Sequence, residues 1–125
     1  MTESEKLYET LGELIYVVAK ADGVISESEK SALKEMLKGH SFATEINWSF
    51  NYETSKEKSV DEVYDKVLAV CHRIGPSPVY EEFIEAMNTI AKADNKVDQE
   101  EAVILNSFSK DLIERFTKDI EKFYD

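Results

Sequence analysis

Four carboxylates sit where two stretches of the chain repeat each other. Asp22 and Glu29 follow the run Ala19-Lys20-Ala21, and Asp94 and Glu101 follow Ala91-Lys92-Ala93, a shift of 72 positions from 22 to 94. Carboxylate oxygens are the ligands of hard divalent cations, and calcium takes about six to eight oxygens. One copy alone cannot supply that many. If the two copies pack about a pseudo-dyad, Asp22, Glu29, Asp94 and Glu101 become the candidate ligands of one shared calcium or magnesium ion, helped by water. Each also has a plain structural explanation. Aspartate followed by glycine or asparagine makes a turn, and Ser26 with Glu29, or Asp98 with Glu101, makes a capping box at a helix start.

A complete EF-hand loop is excluded. Asp22-Gly23, Ile25 and Glu29 match its second half, but its first and third positions fall on Val18 and Lys20, where oxygen ligands are needed. Other catalytic chemistry is sparse. His40 and His72 lack His-x-x-x-His spacing, and Cys71 lacks a second cysteine. Cys71 and His72 are helix neighbours whose side chains diverge by about 100°, so they form no dyad by themselves. Cys71 matches an apolar stripe and reads as core. No glycine-rich phosphate loop occurs. We therefore expect no enzyme, and clustered carboxylates acting on a metal are the weakest of three functional readings. Three aromatic residues, Tyr16, Trp48 and Tyr52, lie off the clear apolar stripes, which makes them candidates for contact with a protein partner. Packing beneath a long loop is the duller explanation.

The elements that must position these groups follow from periodicity. Leu7, Leu11, Leu14, Ile15 and Val18 form a helical stripe that Asp22-Gly23 ends, and Ala32, Leu33, Met36 and Leu37 form a second one that Gly39 ends. The second copy keeps the register with Val79, Phe83, Ala86, Met87 and Ile90, and Tyr8-Glu9, Glu13 and Leu33 return as Tyr80-Glu81, Glu85 and Leu105. A middle helix starts at the Ser59–Glu62 box and runs to Gly75-Pro76; Ser77-Pro78 opens the next. A last stripe, Leu112, Phe116, Ile120 and Phe123, is either its own helix or a continuation past Ser107 and Ser109. Residues 40–58 read as a short helix or irregular structure. The alternation of Ile46, Trp48, Phe50 and Tyr52 also allows an exposed strand, which a partner would extend by strand addition.

Composition narrows the partners. A chain of 125 residues with 42% hydrophobic content makes one packed domain. The net charge of -11 repels phosphate backbones and anionic membranes, so no nucleic acid is expected. The longest apolar run, Leu14 to Ala19, is too short to span a bilayer, so no direct membrane insertion is expected. A single cysteine, and no signal-peptide pattern at the start, fit a cytoplasmic protein.

Ala19-Lys20-Ala21-Asp22-Gly23-Val24-Ile25-Ser26, with Glu29 and Leu33 behind it, resembles the tellurite-resistance TerB family. It is also similar to the amino-terminal region of a membrane-anchored DnaJ-type co-chaperone. The likeness covers most of the chain. It implies an all-α domain with internal pseudo-two-fold symmetry, an acidic cluster that falls here on Asp22, Glu29, Asp94 and Glu101, and no catalytic activity. It further implies stress or tellurite resistance through protein assemblies at the inner membrane face, with suspected metal binding. The second copy departs from the pattern at Asn95 and Lys96, which weakens a metal site there.

The expectation is therefore a single TerB-like domain over 1–125, with repeat 1 near 3–39 and repeat 2 near 77–110. Its fold class is all-α, a compact bundle of about six or seven helices. Its function is that of a non-enzymatic acidic module that binds protein partners, including a membrane-associated complex, with or without a divalent cation. The alternative is a stand-alone calcium- or magnesium-binding protein.

Overall fold

The run Leu14-Ile15-Tyr16-Val17-Val18-Ala19 decides the architecture, because a helix that is apolar all round belongs inside. The computed structural model describes residues 2–93 and 99–123. In it, helix α1 (Glu3–Lys20) is buried at every position from Thr10 through Ala19. Around it lie α3 (Ala43–Lys56), α4 (Val60–Ile74), α5 (Val79–Ala91) and α6 (Gln99–Glu121), all in contact with it. The remaining helix, α2 (Glu27–Leu37), packs on α5. The first hairpin's second helix thus leans on the second hairpin's first helix, and α6 leans on α1. The described residues contain helices and no strand, as the all-α expectation requires.

Total burial of α1 corrects one expectation. Tyr16 lies off the Leu7–Leu11–Leu14–Val18 stripe and was a candidate partner contact, yet it is only 1% exposed. Its hydroxyl donates to the Lys58 carbonyl at 2.6 Å, which satisfies the one polar atom that burial would otherwise strand. Tyr16 is core.

Helix starts follow the capping chemistry closely. Ser26 Oγ accepts from Glu29 N–H, and Glu29 Oε1 accepts from Ser26 N–H at 2.8 Å, the reciprocal box expected there. Ser59 Oγ accepts from Glu62 N–H at 3.1 Å, one half of the box expected there. At α5 the helix begins one residue later than Pro78, and Ser77 Oγ accepts from Val79 N–H. The Asp98–Glu101 box involves Asp98, which lies outside the described residues.

In residues 40–58 the helical reading holds over the strand alternative. The segment holds a full helix of 14 residues, with Ile46, Ser49, Phe50 and Glu53 buried at i, i+3, i+4 and i+7. A strand would have put Ile46, Trp48, Phe50 and Tyr52 on one face; the helix separates them, burying the first and third and exposing the others. Strand addition at this segment is therefore overturned. The break near Ser107 is absent as well: α6 runs unbroken, and Ser107 Oγ donates back to the Val103 carbonyl at 2.6 Å.

α1 and α3 approach closely at Gly12. A Cβ on Gly12 would lie 2.0 Å from Ser49 Oγ and 2.3 Å from the Ile46 carbonyl oxygen. Ser49 Oγ itself donates to the Glu9 carbonyl at 2.6 Å, so α3 hydrogen-bonds directly to the backbone of α1. The repeat partner of Gly12 is Ile84, on a helix that α3 does not cover.

Candidate functional site

The first aspartate corner is built by its turn. Gly23 takes the left-handed conformation at φ 98°, and Asp22 Oδ1 accepts from Val24 N–H at 3.0 Å. Asp22 faces solvent, whereas Glu29 is buried by its place in the capping box. Glu101 is buried in the first turn of α6. Asp94 and its neighbours Asn95, Lys96, Val97 and Asp98 lie outside the described residues. Among the described residues no three His, Cys, Asp or Glu side chains gather as a metal site.

The aromatic candidates divide. Trp48 is 57% exposed and Tyr52 is exposed beside it, one turn apart on α3. Their rings stack at 5.3 Å with 19° between planes. Lys56 and Lys58 place their ammonium groups 5.7 and 5.6 Å from the Tyr52 ring centroid, within cation–π range. Trp48 also lines a groove of about 950 Å³ between α2 and α3. Leu33, Leu37, Ala43 and Phe50 supply apolar lining, and among the described residues its charged lining is Lys34 and Lys30, which pairs with Glu27 at 3.3 Å. Two exposed, stacked aromatic rings beside an apolar groove form a surface suited to another molecule.

A buried charge cluster lies on another side of α1. Glu13 on α1 and Glu53 on α3 are 4% and 1% exposed. Lys66 on α4 reaches both, with Nζ 2.8 Å from Glu13 Oε2 and 3.4 Å from Glu53 Oε1. Glu53 Oε2 has no hydrogen-bond partner among the described residues. Burial pushes the Glu13 carboxyl above the usual range; Lys66 pulls it back, and Glu53 pushes it up again. Repeat logic does not mark this cluster, since Glu85, the counterpart of Glu13, is exposed. A local signal does: Glu13 sits one position from the apolar run of a helix that is otherwise buried all round.

The remaining polar groups tie helices together. Phe42 N–H donates to His40 Nδ1, so Nε2 is the proton-bearing nitrogen and donates to Glu82 Oε1 at 2.7 Å. Tyr8 donates its hydroxyl to the other oxygen of Glu82 at 2.6 Å, and its ring stacks on Phe42. His72 pairs with Asp119 at 2.6 Å, joining α4 to α6. Cys71 is core, as its stripe predicts, and burial pushes its thiol up to about 12. A thiol-specific reagent such as DTNB should therefore leave Cys71 untouched at pH 8 in the folded chain and titrate one thiol in denaturant; stoichiometric reaction without denaturant would contradict this burial.

No helix among the described residues is long and apolar enough to cross a membrane. No curated protein and no solved structure gives a significant match to the chain. A family model does: the one described as tellurite resistance protein TerB matches residues 9–113, spanning the helices and loops from the central α1 into α6. With the all-α bundle and the repeated Ala-Lys-Ala-Asp sequence already in place, that match shows that this chain belongs to the TerB family.

Proposed function

We propose that this chain is a non-enzymatic TerB-type module that works by binding a protein partner through its α2–α3 face, as part of a stress or tellurite-resistance assembly in the cytoplasm. The whole of 1–125 acts as one unit in this reading. The observation that carries it is the exposed Trp48–Tyr52 stack beside an apolar groove. Large aromatics are enriched at binding hot spots, where truncation costs about 2 kcal/mol or more of binding. Both rings lie outside the core, so their removal should spare the fold. Trp48→Ala is expected to weaken capture of a partner from lysate by at least tenfold with an unchanged melting temperature; equal capture by the variant would refute this face as the binding surface.

The cation alternative has a separate readout. A specific ion shared by the two aspartate corners should stabilise the fold by RT ln(1 + [L]/Kd), about 2.7 kcal/mol at a hundredfold excess over Kd. No rise in melting temperature at millimolar calcium or magnesium, or the same rise in Asp22→Asn/Asp94→Asn, would remove it.

A further inference from the structure

We infer that the groove between α2 and α3 takes an acidic amphipathic helix of a partner protein, an inference that rests on the protein-binding reading above and names the partner's chemistry. Charge is the first ground. The chain carries 26 acidic and 15 basic side chains, yet among the described residues the groove's charged lining is Lys34 and Lys30, the latter sharing its charge with Glu27 at 3.3 Å. At physiological salt the Debye length is about 8 Å, so a docked segment feels these lysines more than the distant net charge. Carboxylates along the flanks of a partner segment meet them directly.

Backbone chemistry is the second ground. An extended segment needs a sheet edge for its N–H and C=O groups, and the described residues offer no strand. A helix satisfies its own backbone and needs only an apolar seat. That seat is open because α2 is lightly buried: only Glu29 and Leu33 on it are fully covered. Flanked by helices of 11 and 14 residues, the groove accommodates a partner helix of about three to four turns. Its apolar anchors at i, i+3, i+4 and i+7 would lie along the half-buried Leu37 and Ala43 and against the exposed Trp48, above a floor closed by the buried Leu33 and Phe50.

Trp48 is the chain's one tryptophan, so its emission reports occupancy directly. The probes are two synthetic 16-residue amphipathic peptides with the same leucine stripe, one with glutamate at the remaining positions and its twin with lysine there. The glutamate peptide should shift Trp48 emission to the blue and bind at least tenfold more tightly than the lysine peptide. Lys30→Glu/Lys34→Glu should reverse that order. Equal or tighter binding of the lysine peptide overturns the acidic partner while leaving protein binding intact. If neither peptide moves the emission, yet Trp48→Ala still loses captured partner, the helix-in-groove inference falls alone; unchanged capture by Trp48→Ala removes the broader reading instead. A dimer in sedimentation that Lys30→Glu/Lys34→Glu dissolves would give the groove to a second copy. Emission shifted only by phosphatidylserine vesicles would give it to a lipid surface. Either result overturns the inference.

Discussion

Gly12→Ala should destabilise the folded chain by about 2 kcal/mol, against the direction that helix propensity alone predicts. In an exposed helix interior the change gains about 1 kcal/mol, because alanine is the better helix former. Here the new methyl meets Ser49 Oγ at 2.0 Å and the Ile46 carbonyl oxygen at 2.3 Å. The serine can rotate away, at the loss of its hydrogen bond to the Glu9 carbonyl. The carbonyl cannot, because it belongs to the backbone of α3. Overpacking of this kind costs about 1–3 kcal/mol or more, and α3 must move off α1 to relieve it. Ser49→Ala in the Gly12→Ala background should recover only part of the loss. Urea denaturation checks both variants; a Gly12→Ala chain as stable as the parent would show that α1 and α3 do not pack this closely.

Gly12 also marks the limit of what repetition reveals. The duplicated aspartate corners, their registers and the capping residues are local signals, and the helices they predict are present wherever the described residues reach. Repetition cannot show which copy is inside. Each copy's first helix has the same stripe, but only α1 is enclosed by the segment inserted between the copies, α3 and α4, in addition to α5 and α6. That enclosure turns Glu13 and Tyr16 into interior residues, whereas the matching Glu85 stays exposed. It also explains a glycine in mid-helix. For α3 the apolar pattern fitted two periods, and burial of Ser49 and Glu53 decided it, since neither residue is apolar enough to count in a periodicity. The aromatic pair Trp48–Tyr52 was legible as a departure from the stripes; the lysine-lined groove beside it was not, because it brings together residues of two helices separated by a turn.

The second large effect is expected at Lys66. Lys66→Met keeps the length of the apolar stem and removes the ammonium, leaving Glu13 and Glu53 as buried carboxylates without their cation. Breaking a buried pair from one side costs about 3–5 kcal/mol, because the surviving charge is left uncompensated. Lys66 is itself 42% exposed, so water reaches part of the cluster and the low end, about 3 kcal/mol at pH 7, is the expected loss. The pH dependence follows from Glu13. Its folded pKa already lies above the ordinary carboxyl value because of burial, and removing Lys66 takes away the main opposing influence. A carboxyl raised in this way binds its proton more tightly folded than unfolded, so stability falls as pH climbs from the unfolded value through the folded one. The deficit of Lys66→Met against the parent should therefore be largest at neutral pH and shrink as pH falls toward 5. Lys66 in the parent is raised by its two glutamates, so its own contribution persists at pH 7 and fades only above its ordinary alkaline range. Glu13→Gln and Glu53→Gln added to Lys66→Met should restore most of the loss, since neutral amides need no counter-ion. A deficit equal at pH 5 and pH 7, and untouched by the glutamines, would mean that the lysine stem packs the core and the charges contribute little.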